Sequence, residues 1–128
     1  MSRLPTALVV DDEDPVRTLI ARRLVAWQWH VLEASSGAQA LEIIESGADV
    51  DLLITDINMP GMSGILLVAQ VLARLPKVKV LYVSGFTERL FAGGEWLRPG
   101  ELYLEKPFTL ASFQAALSTL GFKASASP

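Results

Sequence analysis

The stretch LLITDINMPG at residues 52–61 is the one around which the rest of this chain is arranged. Its first apolar residues predict a short buried strand, which must end before Pro60 and Gly61 because both residues interrupt a strand and favour a turn. Asp56 therefore stands at the carboxyl end of that strand. In an open parallel sheet, ligands bind at this edge, so Asp56 is a candidate functional residue. An Asp before a turn is also common for purely local reasons, and only the other strand ends can separate the two interpretations.

Four more apolar runs alternate with helical patterns along the chain. They predict further strands at residues 7–10, 29–34, 78–83 and 102–104. Apolar residues at helical spacing predict helices at about 15–26, 36–46, 65–75 and 110–120. The expected N-caps are Asp14, Ser35 or Ser36, and Thr109. A fourth crossover at residues 87–92 is expected to form only a short or irregular helix, because glycine and proline pairs follow it.

Five strands alternating with helices predict an α/β fold with a doubly wound parallel sheet. The expected strand order is 2-1-3-4-5, in a flavodoxin-like three-layer sandwich. We expect the folded unit to span residues 6–121 and residues 122–128 to form a tail or linker, since they are rich in Ala and Ser.

Composition narrows the function classes. The 128 residues suit one domain, and the absence of cysteine excludes disulfides, thiolate metal sites and thiol nucleophiles. A net charge of −3 argues against direct binding of nucleic acid. No apolar run is long enough for a membrane span or a signal peptide, so we expect a cytoplasmic domain with no membrane contact.

The predicted fold brings polar residues from different strand ends to one edge of the sheet: Asp11, Asp12, Asp56, Ser84 and Lys106. Carboxylates packed this closely repel each other unless a cation lies among them. An acidic site built of oxygen ligands is what Mg²⁺ prefers. With the lysine ammonium and the serine hydroxyl nearby, this arrangement predicts a phosphoryl-transfer site in which Asp56 is the nucleophile.

The chain resembles the receiver domain of two-component response regulators over nearly all of residues 6–121. The resemblance rests on motifs in order at successive strand ends: Asp11-Asp12, Asp56 within DINMPG, Ser84-Gly85 and Lys106-Pro107-Phe108. It implies a phosphoacceptor rather than an enzyme. Asp56 would receive its phosphoryl group from a phosphohistidine on a histidine kinase or a histidine phosphotransfer protein.

The resemblance also implies roles for individual residues. Asp12 and Asp56 would bind Mg²⁺ directly, the backbone carbonyl of Asn58 would add an oxygen, and Asp11 would act through water. Lys106 would pair with the phosphoryl group.

Further roles concern the switch. Ser84 would move towards the phosphoryl group, and Tyr103 would turn in response, which would change the surface formed by the fourth crossover, the fifth strand and the last helix. Gly85 and Phe86 would control access to the phosphoryl group, and phosphorylation could drive dimerisation. The alternative for Tyr103 is an ordinary half-buried strand aromatic.

Two other functions are compatible with parts of the sequence. Residues 12–16, DEDPV, fit the signature of haloacid-dehalogenase-like phosphatases, which would make Asp12 the nucleophile. That family needs a further acidic motif after the lysine, and residues 107–128 contain no Asp or Glu. The other alternative is a pseudo-receiver that binds a partner without phosphorylation.

The sequence leaves the molecular context open. The glycine-rich fourth crossover and Ser84-Gly85-Phe86 resemble receivers of hybrid histidine kinases. The kinase, the downstream target and the oligomeric state are not determined by the sequence. Arg17, Arg22 and Arg23 on the first helix are interpreted as a solvated basic face.

Overall fold

A computed structural model describes residues 4–85 and 97–122. Five parallel strands form one sheet in the order β2-β1-β3-β4-β5. The strands are β1 Thr6–Val10, β2 His30–Ala34, β3 Leu52–Thr55, β4 Lys79–Ser84 and β5 Glu101–Glu105. The predicted strand order is confirmed. The strands β1, β2, β4 and β5 lie within one residue of their predicted bounds, and β3 ends directly before Asp56, as predicted.

The helices in the described residues are α1 Asp14–Ala26, α2 Gly37–Glu45, α3 Gly64–Arg74 and α4 Leu110–Thr119. Three begin with a hydroxyl cap, since the side chains of Ser36, Ser63 and Thr109 each accept a hydrogen bond from a backbone N–H three residues on. These caps satisfy N–H groups that have no partner inside the helix. The predictions for Ser36 and Thr109 are confirmed.

The start of α1 differs from the prediction. Its N-cap is Glu13 rather than Asp14, and the Glu13 side chain makes no capping hydrogen bond. Asp14 lies inside the helix, since the first helical hydrogen bond runs from the Arg17 N–H to the Glu13 carbonyl at 3.0 Å. Its carboxylate pairs with Arg17 in the next turn, at 2.7 Å. Pro15 therefore occupies the second helical position, where its missing N–H still costs nothing.

The sheet is the middle of three layers. On one face, Leu8, Val10, Leu53, Val80 and Tyr82 pack with the buried sides of α2 and α3. On the other face, Ala7, Val9, Ile54, Leu81 and Val83 pack with α1 and α4. Because successive strand residues point to opposite faces, each strand contributes to both cores, which explains its continuous apolar run.

The predicted helix at residues 87–92 and the glycines after it lie outside the described residues. Within residues 4–85 and 97–122, no helix is long and apolar enough to cross a membrane.

Candidate functional site

The pairing of β1 with β3 brings Asp11 and Asp56 side by side. Val10 and Thr55 are register partners, and each is followed by one of these acids. The backbone N–H of Asp56 donates to the carbonyl of Val10 at 3.2 Å, which extends the pairing by one step. Asp11 and Asp56 are 2% and 7% exposed, whereas Asp12 is exposed. The edge therefore holds two buried carboxylates and a third that faces solvent.

Lys106 reaches the same edge from β5. Its backbone N–H donates to the carbonyl of Ser84 at 2.7 Å, which fixes the start of its side chain. The ammonium nitrogen Nζ lies 3.0 Å from Asp11 Oδ2, 3.0 Å from Asp56 Oδ2 and 2.9 Å from Glu13 Oε1. One cation thus bridges three carboxylates.

Both oxygens of the Asp56 carboxylate have donors. Ser84 Oγ donates to Oδ1 at 2.5 Å, and the backbone N–H of Asn58 lies 3.3 Å from the same oxygen. Lys106 Nζ donates to Oδ2 at 3.0 Å. Bonds from a hydroxyl and an ammonium to an ionised carboxylate are short and strong. They orient Asp56 towards the open edge of the sheet.

The electrostatics of the site follow from its burial. Burial lowers the pKa of the Lys106 ammonium, but its hydrogen bonds to Glu13, Asp11 and Asp56 raise that pKa by more, so the net shift is upward. Lys106 is therefore charged at neutral pH. Burial also raises the pKa of Asp11, although hydrogen bonds from Glu13 N–H and Lys106 oppose the shift. Burial therefore outweighs the stabilising effect of the neighbouring Lys106 on ionised Asp11.

The acidic cluster fits a divalent cation. Asp11, Asp12 and Asp56 each offer one carboxylate oxygen, and these oxygens lie within 4.8 Å of one another. An oxygen-only site with an exposed member suits Mg²⁺, which binds carboxylates and keeps several waters.

Gly64 is a site residue that the sequence did not reveal. It is buried at the start of α3, and its N–H donates to the carbonyl of Ile57 at 2.7 Å. A Cβ on Gly64 would lie 1.9 Å from the carbonyl oxygen of Asp56. The start of α3 therefore packs directly on the backbone that carries Asp56. The spacing of residues in the sequence does not predict this contact.

Glu13 and Arg17 were also missed. The sequence marked Glu13 only as part of the DEDPV stretch, yet its carboxylate is a direct partner of Lys106. The interpretation of Arg17 as part of a solvated basic face was wrong, because its side chain is only 16% exposed. Its guanidinium bonds to the Asp11 carbonyl at 2.8 Å, to Asp14 at 2.7 Å and to Glu33 at 3.2 Å. Arg17 thus fastens the acidic loop to α1 and to the end of β2.

Arg23 likewise differs from the predicted solvated face. Its guanidinium lies over the Trp27 ring at 5.8 Å, and its Nε is buried. Arg22 is exposed, as predicted.

Tyr103 lies half-buried on β5. Its hydroxyl donates to the carbonyl of Gly85 at 3.2 Å, and Gly85 directly follows Ser84. The ring is therefore joined to the segment that carries the serine hydroxyl bound to Asp56. Phe86, the predicted access residue, lies outside the described residues.

Comparisons with known proteins agree on one family. The family model described as the response regulator receiver domain matches residues 7–118. The sensor kinase CckA of Brucella abortus is 39% identical over 111 residues, which cover 86% of this chain and 12% of that protein. The chemotaxis protein CheY1 of Helicobacter pylori is 38% identical over 109 residues, covering 80% of this chain and 85% of that protein.

A solved structure agrees with this result. The response regulator protein TrrA of Thermotoga maritima, in complex with Mg²⁺ and BeF, superposes with a TM-score of 0.77 at 27% identity. The match covers 91% of this chain and 99% of that one. The chain thus spans nearly the full length of TrrA and of CheY1, but a small part of the sensor kinase.

Proposed function

Because the chain belongs to the response regulator receiver domain family, we propose that Asp56 is its phosphoacceptor in two-component signalling. The observation that carries this assignment is the pair of donors on Asp56: Ser84 binds one carboxylate oxygen and Lys106 the other. The carboxylate is thereby held at the open edge beside a fixed positive charge.

The transfer follows from this arrangement. A carboxylate oxygen of Asp56 attacks phosphorus, and the bond between phosphorus and a histidine nitrogen of the donor breaks. The electron pair of that bond stays on the imidazole, which takes a proton from water. Lys106 offsets negative charge on the phosphoryl oxygens, and Ser84 can turn its hydroxyl from the carboxylate to one of them.

We propose that Asp11, Asp12 and Asp56 hold Mg²⁺ with the Asn58 carbonyl, because the three carboxylates fit such an ion. When bound, the ion supplies positive charge to the phosphoryl oxygens. Arg17 serves this site indirectly, since it holds the acidic loop through the Asp11 carbonyl.

Receiver domains act with histidine kinases or phosphotransfer proteins. For this chain, we propose a phosphohistidine donor that approaches over α1. A hollow of about 370 Å³ adjoins Lys106 there, lined by Val16, Leu19, Pro107 and Phe108. Leu19 is 53% exposed at its rim. An apolar hollow beside Lys106, whose ammonium contacts Asp56, suits a docking helix that must hold one histidine in a defined position.

The switch proposed for Ser84 and Tyr103 rests on their shared segment. If Ser84 moves towards a phosphoryl group, the Gly85 carbonyl that binds the Tyr103 hydroxyl moves with it. The Tyr103 ring would then turn and change the surface of β5 and α4, on which a phosphorylation-dependent dimer would form. The unit that carries this function is proposed as residues 6–121.

The geometry does not favour a haloacid-dehalogenase-like phosphatase. That reaction needs Asp12 as the nucleophile, whereas Ser84 and Lys106 both contact Asp56.

Intact mass spectrometry tests the proposed function. The protein is incubated with acetyl phosphate with and without Mg²⁺, alongside Asp56→Asn. We expect one added phosphoryl group that depends on Mg²⁺ and is missing in the variant. Equal labelling of Asp56→Asn would show that another residue accepts the group. No labelling, even with a phosphohistidine protein as donor, would favour a pseudo-receiver.

A further inference from the structure

Glu13 occupies the N-cap position of α1 without capping it. Its side chain makes no hydrogen bond to the helix, although short polar residues at this position commonly make one. The carboxylate instead turns to Lys106, with Oε1 2.9 Å from Nζ, while 60% of the Glu13 side chain remains exposed. The residue is therefore directed at the reactive site rather than at its own helix.

The contact with Glu13 completes the coordination of the lysine. An ammonium group has three N–H donors. In the described structure these are directed at three carboxylates, on Asp11, Glu13 and Asp56. Before Lys106 can bind a phosphoryl oxygen, one of these three bonds must be released.

Glu13 is the partner that is released most easily. The Asp11 side chain is 2% exposed, and its second oxygen is held by the Glu13 backbone N–H at 2.9 Å. The Asp56 side chain is 9% exposed and held by Ser84 as well. Water can replace Lys106 only at Glu13 without leaving a buried charge unpaired.

We propose that Glu13 is a positioning residue that competes with the incoming phosphoryl group for Lys106 and so slows phosphorylation of Asp56. The inference rests on the proposed phosphoacceptor function. It adds that, before phosphorylation, the Glu13 carboxylate occupies the position on Lys106 that a phosphoryl oxygen takes afterwards. Removing the competitor should therefore accelerate the reaction.

Two variants separate the contact from the charge. Glu13→Gln keeps the size and removes the charge. Glu13→Asp keeps the charge but is one bond shorter, by about 1.5 Å, and Asp at an N-cap prefers to bond the helix backbone. Glu13→Gln should lose the ion pair with Lys106, although its amide oxygen can still accept a hydrogen bond. Glu13→Asp should lose the contact itself, and only Glu13→Gln changes the field at the mouth of the site. Neither removes a helix cap, so each should lose no more stability than the exposed ion pair contributes and should unfold within about 5 °C of wild type.

The test is the rate of mass gain with acetyl phosphate and Mg²⁺, with Asp56→Asn as the blank. We expect both variants to react about two- to fivefold faster than wild type, which is the effect of losing an exposed ion pair. Both should also bind beryllofluoride, a phosphoryl mimic, more tightly by a similar factor.

The outcomes distinguish the inference from the proposed function. Wild-type rates in both variants, or slower ones, would overturn the role of Glu13 while leaving Asp56 as the acceptor. Acceleration by Glu13→Gln alone would mean that the negative field, and not the contact, slows the reaction, and would overturn the proposal as stated. If wild type gains no phosphoryl group from any donor, the proposed function is wrong and this inference falls with it.

Discussion

Replacing Gly64 with alanine should destabilise the protein, although alanine is the better helix former. A Cβ at this position would lie 1.9 Å from the Asp56 carbonyl oxygen and 2.9 Å from its carbon, where real contacts stay beyond 3.0 Å. The start of α3 or the Asp56 backbone must therefore shift by about 1 Å. Both sides of the contact are backbone, so the cost should reach the upper end of overpacking, about 3 kcal/mol. The helix gains at most about 1 kcal/mol from alanine, which leaves a net loss of about 2 kcal/mol.

Gly37 provides a matched control for this change. It also follows a capping serine and begins a helix, but its added Cβ would meet the side chain of Met62, with Sδ at 2.8 Å. The outer atoms of the methionine can move away, and only its Cβ, at 3.0 Å, is tied to the backbone. Gly37→Ala should therefore cost about 1 kcal/mol at most, less than Gly64→Ala. Urea unfolding measures both variants, provided that the slope with denaturant stays the same. If Gly64→Ala is no less stable than Gly37→Ala, the close packing of α3 on Asp56 is refuted.

Three other predictions concern single side chains. Ser84→Ala removes the hydroxyl that we propose turns from the carboxylate to a phosphoryl oxygen during transfer, so phosphorylation by acetyl phosphate should slow by about ten- to hundredfold. An unchanged rate would show that the hydroxyl is dispensable. Arg17→Gln should weaken Mg²⁺ binding in calorimetry by about tenfold, because it loosens the acidic loop. Arg22→Gln, which removes an exposed charge from the same helix, should not weaken it, since loss of a positive charge alone favours a cation. Unchanged or tighter binding in Arg17→Gln would contradict this role. Burial raises the pKa of the Tyr82 hydroxyl in the folded protein. Above about pH 10 this tyrosine ionises in the unfolded chain but stays neutral in the folded one. The free energy of unfolding should therefore fall as the pH rises further, by up to about 1.4 kcal/mol per pH unit from this residue. Tyr82→Phe should therefore lose less stability than wild type between pH 10 and 11.5, and parallel curves would contradict this.

The sequence predicted the parts of the fold that depend on local pattern. Each apolar run became a strand because both faces of the sheet are covered, and each strand end carried its polar residue to the same edge. Asp56 and Lys106 could be placed together for this reason alone, although 50 residues separate them. Because all five strands are parallel, residues that follow their carboxyl ends lie at one edge of the sheet.

Contacts of particular atoms could not be predicted in this way. Glu13 and Lys106 are 93 residues apart in the sequence. Their contact depends on the rotamer of Glu13, whose side chain forms no hydrogen bond to the start of its own helix. The packing of Gly64 on Asp56 depends on how closely α3 approaches the backbone after β3, and no residue type in the sequence predicts that distance. Arg17 has the spacing of a surface residue, and only the position of β2 shows that it is enclosed.

The central claim is that Asp56 is the phosphoacceptor, and locating the phosphoryl group tests it most directly. The phosphorylated protein is reduced with borohydride, which converts an aspartyl phosphate to homoserine, and its peptides are sequenced by mass spectrometry. We expect homoserine at position 56, and none in the peptide that carries Asp11 and Asp12. Homoserine at position 12 instead would contradict the account and favour the phosphatase reaction.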